Sequence, residues 1–129
     1  MSLNLPIWRD SARLGLLIEE AVRGFSRYHK YTLGSDLRRQ AMRVRRLLVR
    51  ALNAAGAERP RQVERLSLAV DDLKFMLQLG QELRAFQSFR QFEAIAELAV
   101  EVGRQSGHWR RRLNGRDGQI GRASCRERV

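Results

Sequence analysis

The stretch that decides the fold is "LGSDLRRQAMRVRRLLVRALNAA", residues 33–55, in which apolar side chains return at every third or fourth position. That spacing is the period of an α-helix, so the segment predicts a helix with one apolar stripe. The stripe consists of Leu37, Ala41, Val44, Leu48, Ala51 and Ala55. Gly56 comes next and suits a helix C-terminus. Arginine fills much of the rest, so this helix is expected to be basic on its solvent side.

Three more segments have the same period, and they predict helices over about 6–25, 60–86 and 89–113. Pro6 and Pro60 suit helix starts, and Ser88 with Gln91 has the spacing of a capping box. Residues 25–36, "FSRYHKYTLGSD", predict a connector in which Ser35 or Thr32 caps the following helix. Because short connectors force neighbouring helices to run in opposite directions, residues 1–114 predict an all-α, antiparallel up-down four-helix bundle.

The composition indicates one domain without catalytic or metal chemistry. The chain has 129 residues, a single cysteine and two histidines, and the histidines lack the spacing of metal ligands. Asp71 and Asp72 are adjacent on a helix and point in different directions, and no glycine-rich phosphate loop is present. We therefore expect a non-enzymatic protein without a cofactor. No apolar run approaches the roughly 20 residues that span a bilayer, and residues 1–22 do not resemble a signal peptide, so no membrane association and a cytoplasmic location are expected.

The formal net charge of +11, supplied almost entirely by arginine, favours nucleic acid or an acidic partner. On the second helix, steps of four, three and four place one row of arginines on a single face: Arg39, Arg43, Arg46 and Arg50. Arg38 and Arg45 flank this row. A row of guanidinium groups at helical spacing can follow a phosphate backbone without recognising base sequence.

An alternative use for the same row is ion pairing inside an assembly. Glu93, Glu97 and Glu101 form a matching acidic strip on the fourth helix. Arg27, Lys30 and the arginines at 110–112 have no comparable acidic match, so some positive surface should remain free; residues 110–112 also suit a helix C-terminus. The predicted nucleic-acid-binding residues are therefore the row of four together with Arg27 and Lys30.

The second and third helices carry more apolar residues than one bundle core can cover. The surplus includes Met42, Leu47, Val49, Phe75 and Leu79. Surplus apolar surface usually marks a subunit interface, and small bundles most often form symmetric homo-oligomers. Self-association is therefore expected, although scattered exposed apolar residues also occur on ordinary monomers.

The segments "LPIWRD", "FSRYHKYTLGSDLRRQAM" and "EVGRQSGHW" resemble the accessory variability determinant (Avd) family of diversity-generating retroelements. The resemblance covers almost all of residues 3–114. The pattern "KYTLG…LRR" is also shared with a sister group, the four-helix-bundle proteins of ribosomal RNA intervening sequences. Gly103, Arg104, Gly107 and Trp109 look like the ending typical of the retroelement group.

The resemblance implies a homopentameric barrel with a basic surface that binds the reverse transcriptase of the element. Members of this family assist error-prone copying of a template RNA into cDNA, and they bind RNA and DNA without being enzymes. The resemblance does not assign individual contact residues, so the arginine row with Arg27 and Lys30 is expected to contact RNA, DNA or the polymerase. The polar "RQSGH" before Trp109 departs from the family pattern.

Residues 119–129, "QIGRASCRERV", do not continue the helical period. Residues 120–129 back-translate as ATC GGA AGA GCG TCG TGT AGG GAA AGA GTG, which looks like one frame of a common sequencing adapter. The hypothesis is that residues 119–129 are a translated library artefact within a disordered tail, 115–129. Without Arg122, Arg126, Arg128 and Glu127 the chain remains strongly basic.

Overall fold

The computed structural model describes the backbone of residues 5–128 and the side chains of residues 5–115. That backbone contains helices and turns and no strand, in the order α1 (Pro6–Arg23), α2 (Arg27–Lys30), α3 (Leu33–Asn53), α4 (Glu58–Glu82) and α5 (Phe89–Arg128). The predicted all-helical bundle is confirmed in that α1, α3, α4 and α5 pack against one another, while α2 is a single extra turn. No described helix has the length and apolarity required to cross a bilayer.

The four long helices form a square in cross-section. Helix α1 packs against α3 and α5, and α4 packs against the same two helices. Helices α3 and α5 therefore lie on one diagonal, and α1 and α4 lie on the other. The short turn α2 contacts α3 at one end of the bundle. This arrangement determines which charged faces can meet within one subunit.

The centre of the square is filled by aliphatic side chains from all four long helices. The stripe predicted for α3 is buried from Leu37 to Ala51, whereas its last member, Ala55, lies beyond the end of the helix and is exposed. The most buried large side chains are Leu14, Ile18, Leu37, Leu47, Leu48, Leu66, Leu73, Leu77 and Ile95. Burial of side chains of this size contributes about 1.5–3 kcal/mol each relative to exposure. At the α2 end the core closes with aromatic rings, because Phe25 packs edge-on against Phe86 with centroids 5.2 Å apart.

Three helices end earlier than the sequence predicted, and the first of these differences is that α3 stops at Asn53 instead of residue 55. Helix α1 stops at Arg23 instead of residue 25, since the chain turns at Gly24 and Phe25 enters the core. Helix α4 stops at Glu82 instead of residue 86, because Arg84 adopts a left-handed backbone with φ 56° and turns Phe86 into the core. Packing of aromatic residues thus overrides the helical period at the C-termini of α1 and α4.

One predicted cap is wrong and one is confirmed. Thr32 and Ser35 do not cap α3: the Thr32 hydroxyl donates to the Tyr28 carbonyl at 2.7 Å, and that of Ser35 donates to the Lys30 carbonyl at 3.4 Å. Both hydroxyls therefore bind the α2 turn, which the sequence did not predict. At the start of α5, the Ser88 Oγ accepts a hydrogen bond from the backbone N–H of Gln91 at 3.1 Å, as the spacing of the two residues indicated.

The far end of α5 differs from the prediction. Its backbone continues to Arg128, whereas the sequence predicted a helix end at 113 and a disordered tail over 115–129. Residues 115–128 contain no proline, so no missing amide donor stops the helix there. The side chains of 116–129 lie outside the described residues. The artefact hypothesis for 119–129 stays a prediction.

Candidate nucleic-acid interface

The arginine row predicted on α3 lies on the protein surface. Because Leu37, Val44 and Leu48 face the core, the positions between them face solvent. The exposed members are Arg39, Arg43, Arg46 and Arg50, and we call these four residues the α3 ladder. With a rise of about 1.5 Å per residue, the ladder extends over about 16 Å of the helix axis.

Only one member of the α3 ladder has an acidic partner within the side chains that the structure describes. Arg39 Nη2 binds Asp36 Oδ1 one turn earlier on α3, and both side chains are largely exposed. An exposed pair of this kind holds its arginine weakly, at well under about 1 kcal/mol. Arg43, Arg46 and Arg50 form no ion pair among residues 5–115. Their charges are therefore available to an external anion.

The two arginines that flank the α3 ladder have different surroundings. Arg38 Nη2 donates to Glu19 Oε1 of α1 at 2.8 Å, and the guanidinium of Arg45 lies 5.2 Å from the ring centroid of Trp8. Both contacts bind α3 to α1, so these two side chains belong to the α1–α3 contact. The α3 ladder instead lies on the part of α3 that continues toward α4.

The acidic strip on α5 cannot neutralise the α3 ladder inside one subunit. Helices α3 and α5 are diagonal in the square. Glu101 is also engaged by its own helix, because both of its oxygens accept from Arg104, at 2.6 and 2.9 Å, and Gln105 donates to it at 3.1 Å. The hydrogen bond from Arg104 lowers the pKa of Glu101. Exposed Glu93 and Glu97 remain the acids of the strip that an arginine from another subunit could meet.

Helix α4 adds an arginine that the sequence analysis missed. Gln40 Nε2 donates to the Ala69 carbonyl at 2.9 Å, which aligns the antiparallel pair α3 and α4. Arg65 lies one turn before Ala69, and Arg43 lies about one turn after Gln40, so the two arginines lie at the same level of neighbouring helices. Arg65 is exposed and has no ion pair among the described side chains. Arg65 therefore adds a positive charge on α4 beside Arg43 of the α3 ladder. This position follows only from the alignment of α3 with α4.

Arg27 and Lys30 are not part of the α3 ladder. Both lie on α2 at the end of the bundle, and the ladder member nearest to them along α3 is Arg39. The six predicted residues therefore divide between two surfaces: a row along α3 and a patch at one end. Arg43, Arg46 and Arg50 lie progressively further from that end.

A cavity of about 510 Å³ lies between the start of α1 and α5, and Asp10, Gln105 and Trp109 contribute to its wall. Gln105 Nε2 donates to Asp10 Oδ2 at 2.6 Å and also to Glu101, so these three polar groups of the cavity bind one another. The described side chains include no cluster of three or more His, Cys, Asp or Glu residues able to hold a metal ion. The arrangement with the clearest chemical capacity is therefore the basic surface.

Comparison of the chain with models of known protein families and with curated proteins gives no match. Its fold and surface define it as a small helical bundle with a basic face made by α3 and α4.

Proposed function

We propose that this chain is a non-catalytic, nucleic-acid-binding accessory protein that binds the reverse transcriptase of a diversity-generating retroelement and assists mutagenic cDNA synthesis. The observation that carries the nucleic-acid part is the α3 ladder, in which Arg43, Arg46 and Arg50 are exposed and free of ion pairs among residues 5–115. Arginine in this setting suits two-pronged contacts with phosphate oxygens. The polymerase part rests on the resemblance of residues 3–114 to the Avd family.

The test is the salt dependence of binding to a labelled RNA–DNA hybrid. Each phosphate contact contributes about 0.9 to the slope of log affinity against log salt. The double substitution Arg46→Gln and Arg50→Gln should therefore lower that slope by about 2. A matched control is Arg9→Gln with Arg13→Gln, which removes the same charge from two exposed α1 positions at the same spacing. Binding that does not weaken as salt rises, or an equal loss in both variants, would contradict the proposed site.

A structural oligomer with arginines paired across subunits is the competing function, and exposed Glu93 and Glu97 favour it. Substituting Arg39, Arg43, Arg46 and Arg50 together separates the two functions. We expect loss of nucleic-acid binding with unchanged molecular mass by light scattering. Loss of assembly would instead show that the arginines of the α3 ladder form ion pairs between subunits.

The oligomeric part of the proposal is supported by two apolar surfaces on opposite sides of the square. Between α1 and α3, Leu16 is 68% and Met42 is 50% exposed, beside a groove floored by small residues. Between α4 and α5, Val100 is 57% exposed beside a groove that Gln78 and Phe92 also line. A head-to-tail contact joins two different surfaces and forms a ring when the rotation between successive copies closes, whereas a two-fold dimer uses one surface twice. Two apolar surfaces on opposite sides therefore support a head-to-tail contact, which the pentamer implied by the resemblance requires.

The polymerase partner is tested by co-purification with the reverse transcriptase encoded beside the gene. We expect this chain and the reverse transcriptase encoded at the same locus to purify as a stable complex. A neighbouring reverse-transcriptase gene with a pair of near-identical repeats would favour this role. A location inside a ribosomal RNA gene would favour the sister group instead.

A further inference from the structure

The end of the bundle at α2 is built from two chain segments, residues 23–35 and 83–92, which we call the end platform. Phe25 of the first segment packs against Phe86 of the second at 5.2 Å, and Phe86 also packs against Phe92 at 5.6 Å. Gly24 lies against Gln87, so closely that a Cβ on Gly24 would come within 2.4 Å of the Gln87 Nε2. The two segments therefore form one packed surface.

The end platform is basic and contains no acid. Its two segments carry five cationic side chains and neither Asp nor Glu; the cations are Arg23, Arg27, Lys30, Arg84 and Arg90. None of the five forms an ion pair with any side chain that the structure describes. The acid nearest to Lys30 in sequence is Asp36, which binds Arg39. Three exposed acids, Asp36, Glu82 and Glu93, border the two segments in sequence, so an anionic ligand would meet a net positive charge here.

Two tyrosine rings project from the same surface. Tyr28 is 75% and Tyr31 is 70% exposed, so neither ring is required by the core. Residues three apart on a helical turn are neighbours, with about 5–6 Å between their Cβ atoms. Helical geometry places Arg27 next to Tyr31, four residues later, and next to Lys30, three residues later, whereas Tyr28 and Lys30 are two residues apart and point in different directions. Tyr31 therefore lies between Arg27 and Tyr28 on one side of the turn, and Lys30 lies on the far side of Arg27.

The α2 turn that presents the tyrosines is held by local hydrogen bonds. The Ser26 Oγ accepts from the His29 amide at 3.4 Å, and the Thr32 hydroxyl donates to the Tyr28 carbonyl at 2.7 Å. The His29 and Tyr28 rings pack in a T-shaped arrangement with centroids 5.3 Å apart. These contacts restrain the backbone of the turn, so the rings are presented from a defined position.

Arg84 gives a separate indication that charge at this end has a use. Its φ of 56° lies in the left-handed region, where glycine is favoured and a side chain is strained. Glycine at this position would relieve the strain and keep the turn that follows α4. An exposed arginine there adds a cation to the end platform at a cost in stability.

From these features we infer that the end platform binds single-stranded nucleic acid, with bases stacked on Tyr28 and Tyr31 and phosphates bound by the surrounding cations. Exposed aromatic rings within a basic surface are the elements with which proteins hold single strands. A duplex does not suit the rings, because its bases are already stacked on one another and only unpaired bases expose their faces. This inference rests on the proposed nucleic-acid-binding function and adds a second site with a different substrate form.

The experiment compares a single-stranded oligouridylate with an RNA–DNA hybrid, both fluorescently labelled, in binding to the full chain at one fixed salt concentration. Stacking on an aromatic ring strengthens binding by at least about fivefold per base. The double variant Tyr28→Leu and Tyr31→Leu should bind the single strand at least about 20-fold more weakly and the hybrid nearly unchanged. The matched variant Tyr28→Phe and Tyr31→Phe keeps both rings and should bind the single strand like the parent.

A direct readout is photo-crosslinking of 4-thiouridine-substituted RNA, followed by mass spectrometry of the peptide that contains Tyr28 and Tyr31. We expect crosslinks to this peptide in the parent. Unchanged single-strand affinity in the leucine variant, or an equal loss with phenylalanine, would overturn the inference. The inference would also be overturned if the leucine variant kept its single-strand affinity and lost binding to the reverse transcriptase. The end platform would then be a polymerase-binding surface.

The same measurements separate this inference from the proposed function. A parent chain that binds neither RNA form contradicts both. A parent chain that binds both forms through the α3 ladder, with no contribution from the tyrosines, contradicts only the end platform. Circular dichroism of each variant shows whether the helical fold is retained, which is expected because both rings are exposed.

Discussion

Arg59 has a structural role that its charge alone does not reveal. Its Nε donates to the Ala54 carbonyl at 2.9 Å and its Nη2 donates to the Leu52 carbonyl at 3.3 Å. These carbonyl oxygens lie at the C-terminus of α3, where backbone acceptors have no intrahelical donor and the helix dipole favours a cation. The arginines among residues 5–115 thus fall into two groups: those that hold the bundle together and those that face solvent.

The capping role of Arg59 predicts that Arg59→Ala lowers the free energy of unfolding by about 1–2 kcal/mol. Arg61→Ala is the control, because Arg61 is exposed and lies 3.7 Å from Glu58 in a weak ion pair. It should change stability by less than about 0.5 kcal/mol. Urea denaturation followed by circular dichroism measures both; equal effects would show that Arg59 is not a cap.

Gly80 is required by close packing, in contrast to Gly115. A Cβ on Gly80 would come within 2.8 Å of the Phe86 Cε2 and 3.3 Å of the Leu33 Cδ2, whereas one on Gly115 would meet nothing within 4 Å. We expect Gly80→Ala to destabilise the protein by about 1–3 kcal/mol. Gly115→Ala should be neutral or slightly stabilising, because alanine favours helix. A stabilising Gly80→Ala in urea denaturation would mean that the Phe86 ring moves aside freely.

At the scale of helices, the sequence predicts the features that recur with the helical period and misses those that depend on a single contact. The stripe from Leu37 to Ala51 predicts α3 because each member is buried for the same periodic reason. The α2 turn is missed because Thr32 and Ser35 bind backwards to it, and a hydroxyl in a sequence does not show which carbonyl it will meet. Arg65 is missed as a neighbour of the α3 ladder because the alignment of α3 with α4 depends on the bond from Gln40 to Ala69.

For the surplus apolar residues, the helical period likewise predicts the exposure of some side chains and misses the burial of another. Met42 and Phe75 are exposed, as their positions outside the main stripes indicated. Leu47 is buried instead, because the contact between α3 and α4 widens the core beyond the stripe that one helix reveals. Single-helix periodicity therefore predicts the centre of a face better than its edges.

The start of α5 depends on Ser88, whose Oγ accepts from the Gln91 amide. Ser88→Ala removes an acceptor for an orphan amide and should lower the free energy of unfolding by about 1 kcal/mol. Ser88→Asp keeps an acceptor and adds a charge that the helix N-terminus favours, so it should retain stability. Thermal and urea denaturation of the two variants test this, and a similar loss in both would exclude a capping role.

On the scale of the whole molecule, the square packing leaves two apolar surfaces facing away from each other. Leu16 belongs to the α1–α3 side and Val100 to the α4–α5 side, and the two sides have no helix in common. A head-to-tail contact between them needs one surface from each of two copies. This asymmetry distinguishes a head-to-tail assembly from a two-fold dimer, whatever the number of subunits.

A mixing experiment exploits that asymmetry. Leu16→Lys and Val100→Lys each place a charge in one surface, so each variant alone should be monomeric in light scattering. Mixed in equal amounts, they should form a heterodimer, since the intact α1–α3 surface of one variant meets the intact α4–α5 surface of the other. Oligomers that persist in either variant alone, or the absence of a heterodimer, would contradict the head-to-tail contact.

The diagonal placement of α3 and α5 also determines what a closed ring would present on its two walls. If α1–α3 meets α4–α5 of the next copy, the remaining sides become one wall made by α3 with α4 and another made by α5 with α1. Every α3 ladder then lies on the same wall, while Glu97 and Glu101 lie on the other. A strand bound at one ladder is held at high local concentration beside the next, so avidity accumulates around the circumference without any single tight contact.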